Sequence, residues 1–445
     1  MPPRSDVHYF GAGPAPLPTS VLERASQALL SYKDSGVGLC EISHRSGDAN
    51  QILADAKAAM TTLLDIPEDY EILFLQGGGS GEFSAVVYHM VSLWVEKRRI
   101  RAQEDLTVAI ADGKTEGPLE QKVFQRLKQE VDEELKLDYL VTGSWSLKAS
   151  QEAARLVGAP HVNVALDART ENDGQFGIIP PESTWKLTAR TREGGPGSAM
   201  VYFCDNETVD GVEFPSFPES LQACPEDAVD DDAPMVIADM SSNFISRKVD
   251  VSKYSVIFGG AQKNVGNAGV TIVIVKKSLL PPTANLAKPD LLRKLNLPVG
   301  PIVFDWPTIA KNNSLYNTLP IFDVWIAGQV MADLVQTCGS KKIAGQQEVS
   351  DEKAKLLYGT LDRYPQVYRV VPHQSVRSRM NICFRVAGGD EQKEKAFLAG
   401  AEKRGLMGLK GHRSVGGIRA SNYNAVTLDS AKLLAKYLED FAQGV

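Results

Sequence analysis

Apolar positions along the chain fall into two alternating patterns. Short β-branched runs, EILFLQ (71–76), DYLVTG (138–143), HVNVAL (161–166), AMVYF (199–203), MVIADM (235–240), SVIFGG (255–260) and VTIVIV (270–275), are separated by stretches with helical spacing such as ANQILADAKAAMTTLLD (49–65). That alternation predicts an α/β fold, a mostly parallel sheet with helices on its faces. The opening HYFGAGPAPLP (8–18) is too dense in Gly and Pro for either element and reads as an irregular arm, followed by a helix with Thr19 or Ser20 near its cap. Beyond about residue 330 the style changes to a helix at 346–364, the strands YRVV and MNICFRV, and a last helix at 428–443, a smaller α+β unit. The predicted division is an arm (1–18), a large domain (19–330) and a small domain (331–445).

One stretch interrupts this regularity. Residues 97–136 begin KRRIRAQED and continue into an amphipathic helix with Leu119, Phe124, Leu127, Val131 and Leu135 on one face. Lys97, Arg98, Arg99 and Arg101 could meet a polyanion, but acidic residues follow directly, and a solvated helix face on a surface insertion is the simpler expectation. The acidic run PEDAVDDDAP (225–234) reads as a surface loop before a buried strand.

Composition narrows the function classes. Over 445 residues, 48 Lys+Arg against 55 Asp+Glu leave a net charge of −7, which favours neither nucleic acid nor an acidic membrane as partner. The five cysteines (Cys40, Cys204, Cys224, Cys338, Cys383) include no CxxC pair, so reduced thiols are expected and a metal site is not. MPPRSDVHYFGAG has no apolar core of a signal peptide, and no apolar run approaches the roughly 20 residues of a membrane span. A cytoplasmic protein is expected.

The candidate chemistry gathers at strand ends. The run MVIA ends at Asp239 and SVIFGG ends just before Gln262 and Lys263, and ligands of open α/β sheets bind outside the carboxyl ends of strands. A lysine and a carboxylate facing one crevice suit pyridoxal phosphate, which needs an amine for its Schiff base and an acid to keep its pyridine nitrogen protonated. Taken singly, each reads more simply as a capping Asp and a Lys in a turn. GGGSGEF (77–83), between a strand and a helix, turns backbone N–H groups toward an anion and fits a phosphate monoester better than a dinucleotide, since it matches neither a Walker motif nor GxGxxG. Trp145, after another strand end, could stack on an aromatic cofactor or simply be core, and Thr208 could reach a cofactor oxygen or form a plain turn. Finally SHRS (43–46) and GLKGHRSVGGIRASNYN (408–424) place His44, Arg45, Lys410, His412, Arg413 and Arg419 among glycines and serines, which suggests a substrate with an anion at each end.

These stretches, with GAGPAPLP, NETVDGVEF, GGAQKNVGNAG and NTLPIFDVWIAG, resemble the phosphoserine aminotransferase family of the class V, fold type I pyridoxal phosphate enzymes, in the family's order along almost the whole chain. The resemblance implies pyridoxal 5′-phosphate as cofactor, Lys263 as the Schiff-base lysine, Asp239 as the pyridinium partner and Trp145 as the stacked ring. It implies Thr208 at the phenolic oxygen, Gly79, Ser80 and Gln262 at the phosphate, and Asn317 and Thr318 reaching that phosphate from the second subunit of a homodimer with shared sites. Arg419 would take the substrate α-carboxylate, with His44, Arg45, His412 and Arg413 around its distal anion. The implied reaction exchanges the amino group between glutamate and 3-phosphohydroxypyruvate. The alternatives are another class V aminotransferase, of the serine or alanine–glyoxylate type, and a catalytically idle binding protein on the same fold. Two departures stand out: Glu82 where many members have Gln, and Ala12 where many have Ser.

Overall fold

The computed structural model describes residues 3–188, 197–222 and 235–444, so the acidic run at 225–234 and Cys224 lie outside the described residues. In chain order the first elements are β1 (His8–Tyr9), α1 (Thr19–Ala28), α2 (Gly47–Leu64), β2 (Tyr70–Leu75), α3 (Gly78–Ala111), α4 (Leu119–Glu134), β3 (Leu137–Val141), α5 (Ser144–Val157) and β4 (Val162–Asp167). There follow β5 (Met200–Cys204), the small hairpin β6 (Asn206–Glu207) and β7 (Val212–Glu213), then β8 (Val236–Asp239), β9 (Val256–Gly260) and β10 (Thr271–Lys276). The short α6 (Pro289–Lys294) and α7 (Trp306–Lys311) lead to α8 (Ile321–Cys338) and α9 (Ile343–Arg363). The last are β11 (Tyr368–Val370), β12 (Asn381–Val386), α10 (Glu391–Glu402), β13 (Leu406–Met407), β14 (Ile418–Ser421) and α11 (Leu428–Gln443).

The central sheet has seven strands in the order β2-β10-β9-β8-β5-β3-β4, and only β10 runs antiparallel to its neighbours. This is the sheet predicted from the β-branched runs. Apart from the edge strand β4, its strands are buried on both faces because one core, including Leu53, Met60 and Ile326, covers one side, and a second, including Val87, Met90, Leu127 and Val131, covers the other. A third core joins Phe10 of the arm to Leu357, Phe384, Phe397, Ile418 and Leu434 around the antiparallel sheet β11-β12-β14. The arm is anchored there by β1, which pairs in parallel with β13.

α1 begins at Thr19 directly after its Pro18 cap, with the Thr19 and Ser20 hydroxyls on the Arg4 guanidinium and the Asp333 carboxylate. Two expectations change. Residues 97–136 are tied into the core more firmly than a surface elaboration: α3 runs unbroken to Ala111, α4 folds back along it, and Val123, Leu127, Val131 and Leu135 are buried, while positions 103–122 stay half-buried or exposed. Arg98 of the basic run is itself buried, 2.7 Å from Glu134 and 3.8 Å from Glu130. The division expected between residues 330 and 331 falls inside α8, whose apolar face stays on the first core as far as Val335; the helix stops at Gly339, where φ is +54°. No helix among the described residues is long and apolar enough to cross a membrane.

Candidate active site

Because β2, β3, β5, β8 and β9 all run the same way, their carboxyl ends deliver side chains to one edge of the sheet. A cavity of about 400 Å³ opens there, lined by the glycine turn, Trp145, Thr208, Asp239, Gln262, Lys263, His412 and Arg419, with Ala12 and Gly13 of the arm at its rim. The arm is held in place by the Ala15 N–H, which donates to the Gln262 carbonyl at 2.8 Å.

Asp239 is the last residue of β8 and is buried. Its Oδ1 accepts from the backbone N–H and hydroxyl of Ser241, at 2.8 and 2.6 Å, whereas Oδ2 has only a long contact of 3.5 Å from the Tyr202 hydroxyl. Burial raises its pKa, against the Ser241 hydrogen bonds and the nearby Lys263 charge. Lys263 follows β9 by three residues, and its Nζ donates to Thr208 Oγ1 at 2.7 Å. Desolvation pushes its ammonium down to about 8, so a free, nucleophilic amine is accessible near neutral pH.

The phosphate-sized end of the cavity is backbone. Gly77 (φ +118°) and Gly78 (φ +63°) take conformations that favour glycine, and α3 starts with no side chain capping its first N–H groups. Bulk is excluded as well, since a Cβ on Gly81 would meet the Phe304 ring at 2.9 Å. Glu82, one turn into α3, is fully buried with neither carboxylate oxygen hydrogen-bonded, and burial raises its pKa to about 8.

On the opposite wall Arg419 of β14 donates through Nη1 to the Thr208 carbonyl at 3.1 Å, while its Nε is buried without a partner. His412 lines the same wall, its Nδ1 2.6 Å from Ser414 Oγ, and its pKa is lowered chiefly by burial and then by the Arg419, Lys148 and Arg413 charges. The Trp145 indole Nε1 is also buried and unpartnered.

The cavity thus brings together Gly79, Ser80, Trp145, Thr208, Asp239, Gln262, Lys263, His412 and Arg419. It does not include His44, Arg45, Asn317, Thr318 or Arg413. His44 and Arg45 sit in the turn before α2, beside the 316–318 segment, since Arg45 Nη2 lies 3.5 Å from the Tyr316 carbonyl. Asn317 donates to Gln76 Oε1 at 2.6 Å, at the root of the glycine turn, and Arg413 is exposed. Sequence reasoning passed over Ser241, which orients Asp239, and Glu207 and Asp210, which accept backbone N–H groups at the start of α5. The one available signal was two acids in NETVD, tightly flanked by apolar strands.

Pyridoxal phosphate fits this donor set. A desolvated amine faces a carboxyl with one oxygen held only by a long contact, a glycine turn exposes uncapped N–H groups, and Trp145 Nε1 and Arg419 Nε lack partners.

The comparisons agree with this geometry. The model of the aminotransferase class-V family matches residues 7–105 and 121–434; the internal gap, 106–120, covers the end of α3, the turn and the first residues of α4. The chain is 40% identical over 444 residues to the phosphoserine aminotransferase of Saccharomyces cerevisiae, covering 99% of this chain and 98% of that protein. It is 37% identical over 437 residues to that of Drosophila melanogaster, covering 98% of each. Among solved structures, the phosphoserine aminotransferase of Bacillus circulans subsp. alkalophilus superposes with a TM-score of 0.75 at 31% identity, over 98% of both chains. A PLP-bound phosphoserine aminotransferase from Trichomonas vaginalis gives 0.74 at 30%, over 97% of this chain and 99% of that one. The chain belongs to the class V aminotransferases and, among them, to the phosphoserine aminotransferase family.

Proposed function

We infer that this chain is a pyridoxal 5′-phosphate-dependent aminotransferase that moves an amino group reversibly between L-glutamate and 3-phosphohydroxypyruvate, giving O-phospho-L-serine and 2-oxoglutarate in serine biosynthesis. The observation that carries this reading is the convergence of Lys263, Asp239, the glycine turn and Arg419 on one cavity. When bound, the cofactor supplies an electron sink for the pair of electrons left at the substrate α-carbon.

The protein's own groups do the rest. Lys263 holds the cofactor and, once released, carries the proton from the substrate α-carbon; its depressed pKa brings the free amine within reach near neutral pH. Asp239, braced by Ser241, holds a proton at the ring nitrogen, and Thr208 Oγ1 serves the phenolic oxygen. Gly79, Ser80 and Gln262 receive the phosphate, and Trp145 covers the ring. Arg419 grips the α-carboxylate of either substrate in a two-point contact, with His412 toward the second anion and Arg413, exposed outside the cavity, joining it there. His44, Arg45, Asn317 and Thr318 form a patch outside this cavity, which supports a homodimer in which each copy completes the other's site.

We assign the arm (1–18) to the small C-terminal domain that β1 and Phe10 join, and place the domain boundary after α8 rather than at 330. A cytoplasmic location accords with the four described cysteines, all free.

The test is a coupled transamination assay with glutamate as donor, comparing 3-phosphohydroxypyruvate, glyoxylate and hydroxypyruvate, on protein whose visible spectrum shows cofactor bound to lysine. Selective turnover of the phosphorylated acceptor is expected. A preference for glyoxylate would replace the substrate reading by that of another class V aminotransferase, and failure to take up cofactor would leave an idle binding protein.

A further inference from the structure

The hairpin β6–β7 reaches the start of α5 with two carboxylates. Glu207 is fully buried; its Oε2 accepts the Trp145 backbone N–H at 2.8 Å, and its Oε1 accepts the Ser146 N–H at 2.9 Å and the Ser146 hydroxyl at 2.5 Å. Asp210, also buried, accepts the Ser144 N–H at 2.7 Å. Three consecutive backbone N–H groups are therefore held from outside the helix, and α5 has no other side chain capping its first turn than Ser146 itself. The contact leaves no slack, since a Cβ on Gly143 would come within 2.3 Å of Glu207 Cγ.

The same hairpin touches the chemistry on its other side. Thr208, next to Glu207, receives Lys263 on its hydroxyl and Arg419 on its carbonyl. The backbone of Trp145 is thus tied, through one residue of a two-stranded turn, to the groups that define the cavity's centre. With only two side-chain torsions, an indole whose backbone is pinned has few places to go.

We propose that Glu207, supported by Asp210, is a positioning residue that sets the height and tilt of the Trp145 indole over the cofactor ring. The proposal rests on the reading that Trp145 stacks on that ring. A glutamine at 207 fills the same space but offers one acceptor oxygen and turns an NH₂ toward a backbone N–H, so the first turn of α5 must shift.

The experiment compares Glu207→Gln, Trp145→Phe and the double variant as loaded protein, reading the visible circular dichroism of the bound cofactor and the cofactor dissociation constant. Glu207→Gln should weaken cofactor binding by about tenfold and change the dichroic band as Trp145→Phe does. If Glu207 acts through Trp145, the double variant should stay within about twofold of Trp145→Phe alone. Ser146→Ala, which removes the hydroxyl bond to Glu207 together with the Ser146 Oγ contacts to the Thr142 and Gly143 N–H groups but leaves the Glu207 carboxylate on the Trp145 and Ser146 N–H groups, should give a smaller change of the same sign and serves if the glutamine variant does not fold. Additive effects, or an unaltered band in both Glu207→Gln and Ser146→Ala, would overturn the proposal while leaving the stacked indole standing. An unaltered band in Trp145→Phe would remove the stacking reading itself and the proposal with it.

Discussion

At the scale of single residues, Glu82 carries a consequence separate from the chemistry of Lys263. Both of its oxygens are buried without partners, the unpartnered Trp306 indole N–H is the donor that faces it, and the Asp239 charge adds to the burial that raises its pKa to about 8. The folded protein therefore keeps a proton on Glu82 that the unfolded chain has lost above an ordinary carboxylate pKa of about 4.3. Stability must fall as pH rises between those two values, and Glu82→Gln, which carries no such proton, should escape that loss. Denaturant unfolding at pH 5 and pH 8 should show the variant gaining on the parent by on the order of 4 kcal/mol, and parallel pH dependences would contradict it. Lys263 and Asp239 were legible in the sequence because each closes a β-branched run, and a strand end can be read one chain segment at a time. Ser241, Glu207 and Asp210 were not, because their part is to accept or donate across segments far apart in the chain, and local spacing carries no trace of such a bond.

Among the elements, the strands and the glycine turn emerged as expected, since continuous apolar runs and consecutive glycines report burial and left-handed backbone directly. What covers α4 was not legible for a physical reason: an amphipathic helix shows that one face is covered but not by what. Here the cover is α3 itself and the second core, to which Leu127 belongs with no exposed surface. Leu127→Ala should then destabilise the protein by about 2–5 kcal/mol, as deletion of a core leucine does, instead of the near-neutral change of a surface appendage. A thermal melt of the variant beside the parent decides between them.

For the whole molecule, the patch of His44, Arg45, Asn317 and Thr318 makes sense if two copies share their sites. Lys263→Ala and Arg45→Ala, each poorly active alone, should regain activity when unfolded and refolded together. In a mixed dimer one site would have both residues intact, and random pairing should restore about a quarter of parental turnover. Absence of any recovery would place Arg45 outside a neighbour's site. The arm, finally, bears on how the protein is made. β1 is the first strand of the chain, yet its partner β13 comes near the end, and Ala12 and Gly13 on the same arm line the cavity. Such a distant pairing closes late in folding and cannot form while the ribosome still holds residues 406 and 407. Until that moment the nascent chain has its lysine but not its finished rim, so completion of the pocket is timed to completion of synthesis.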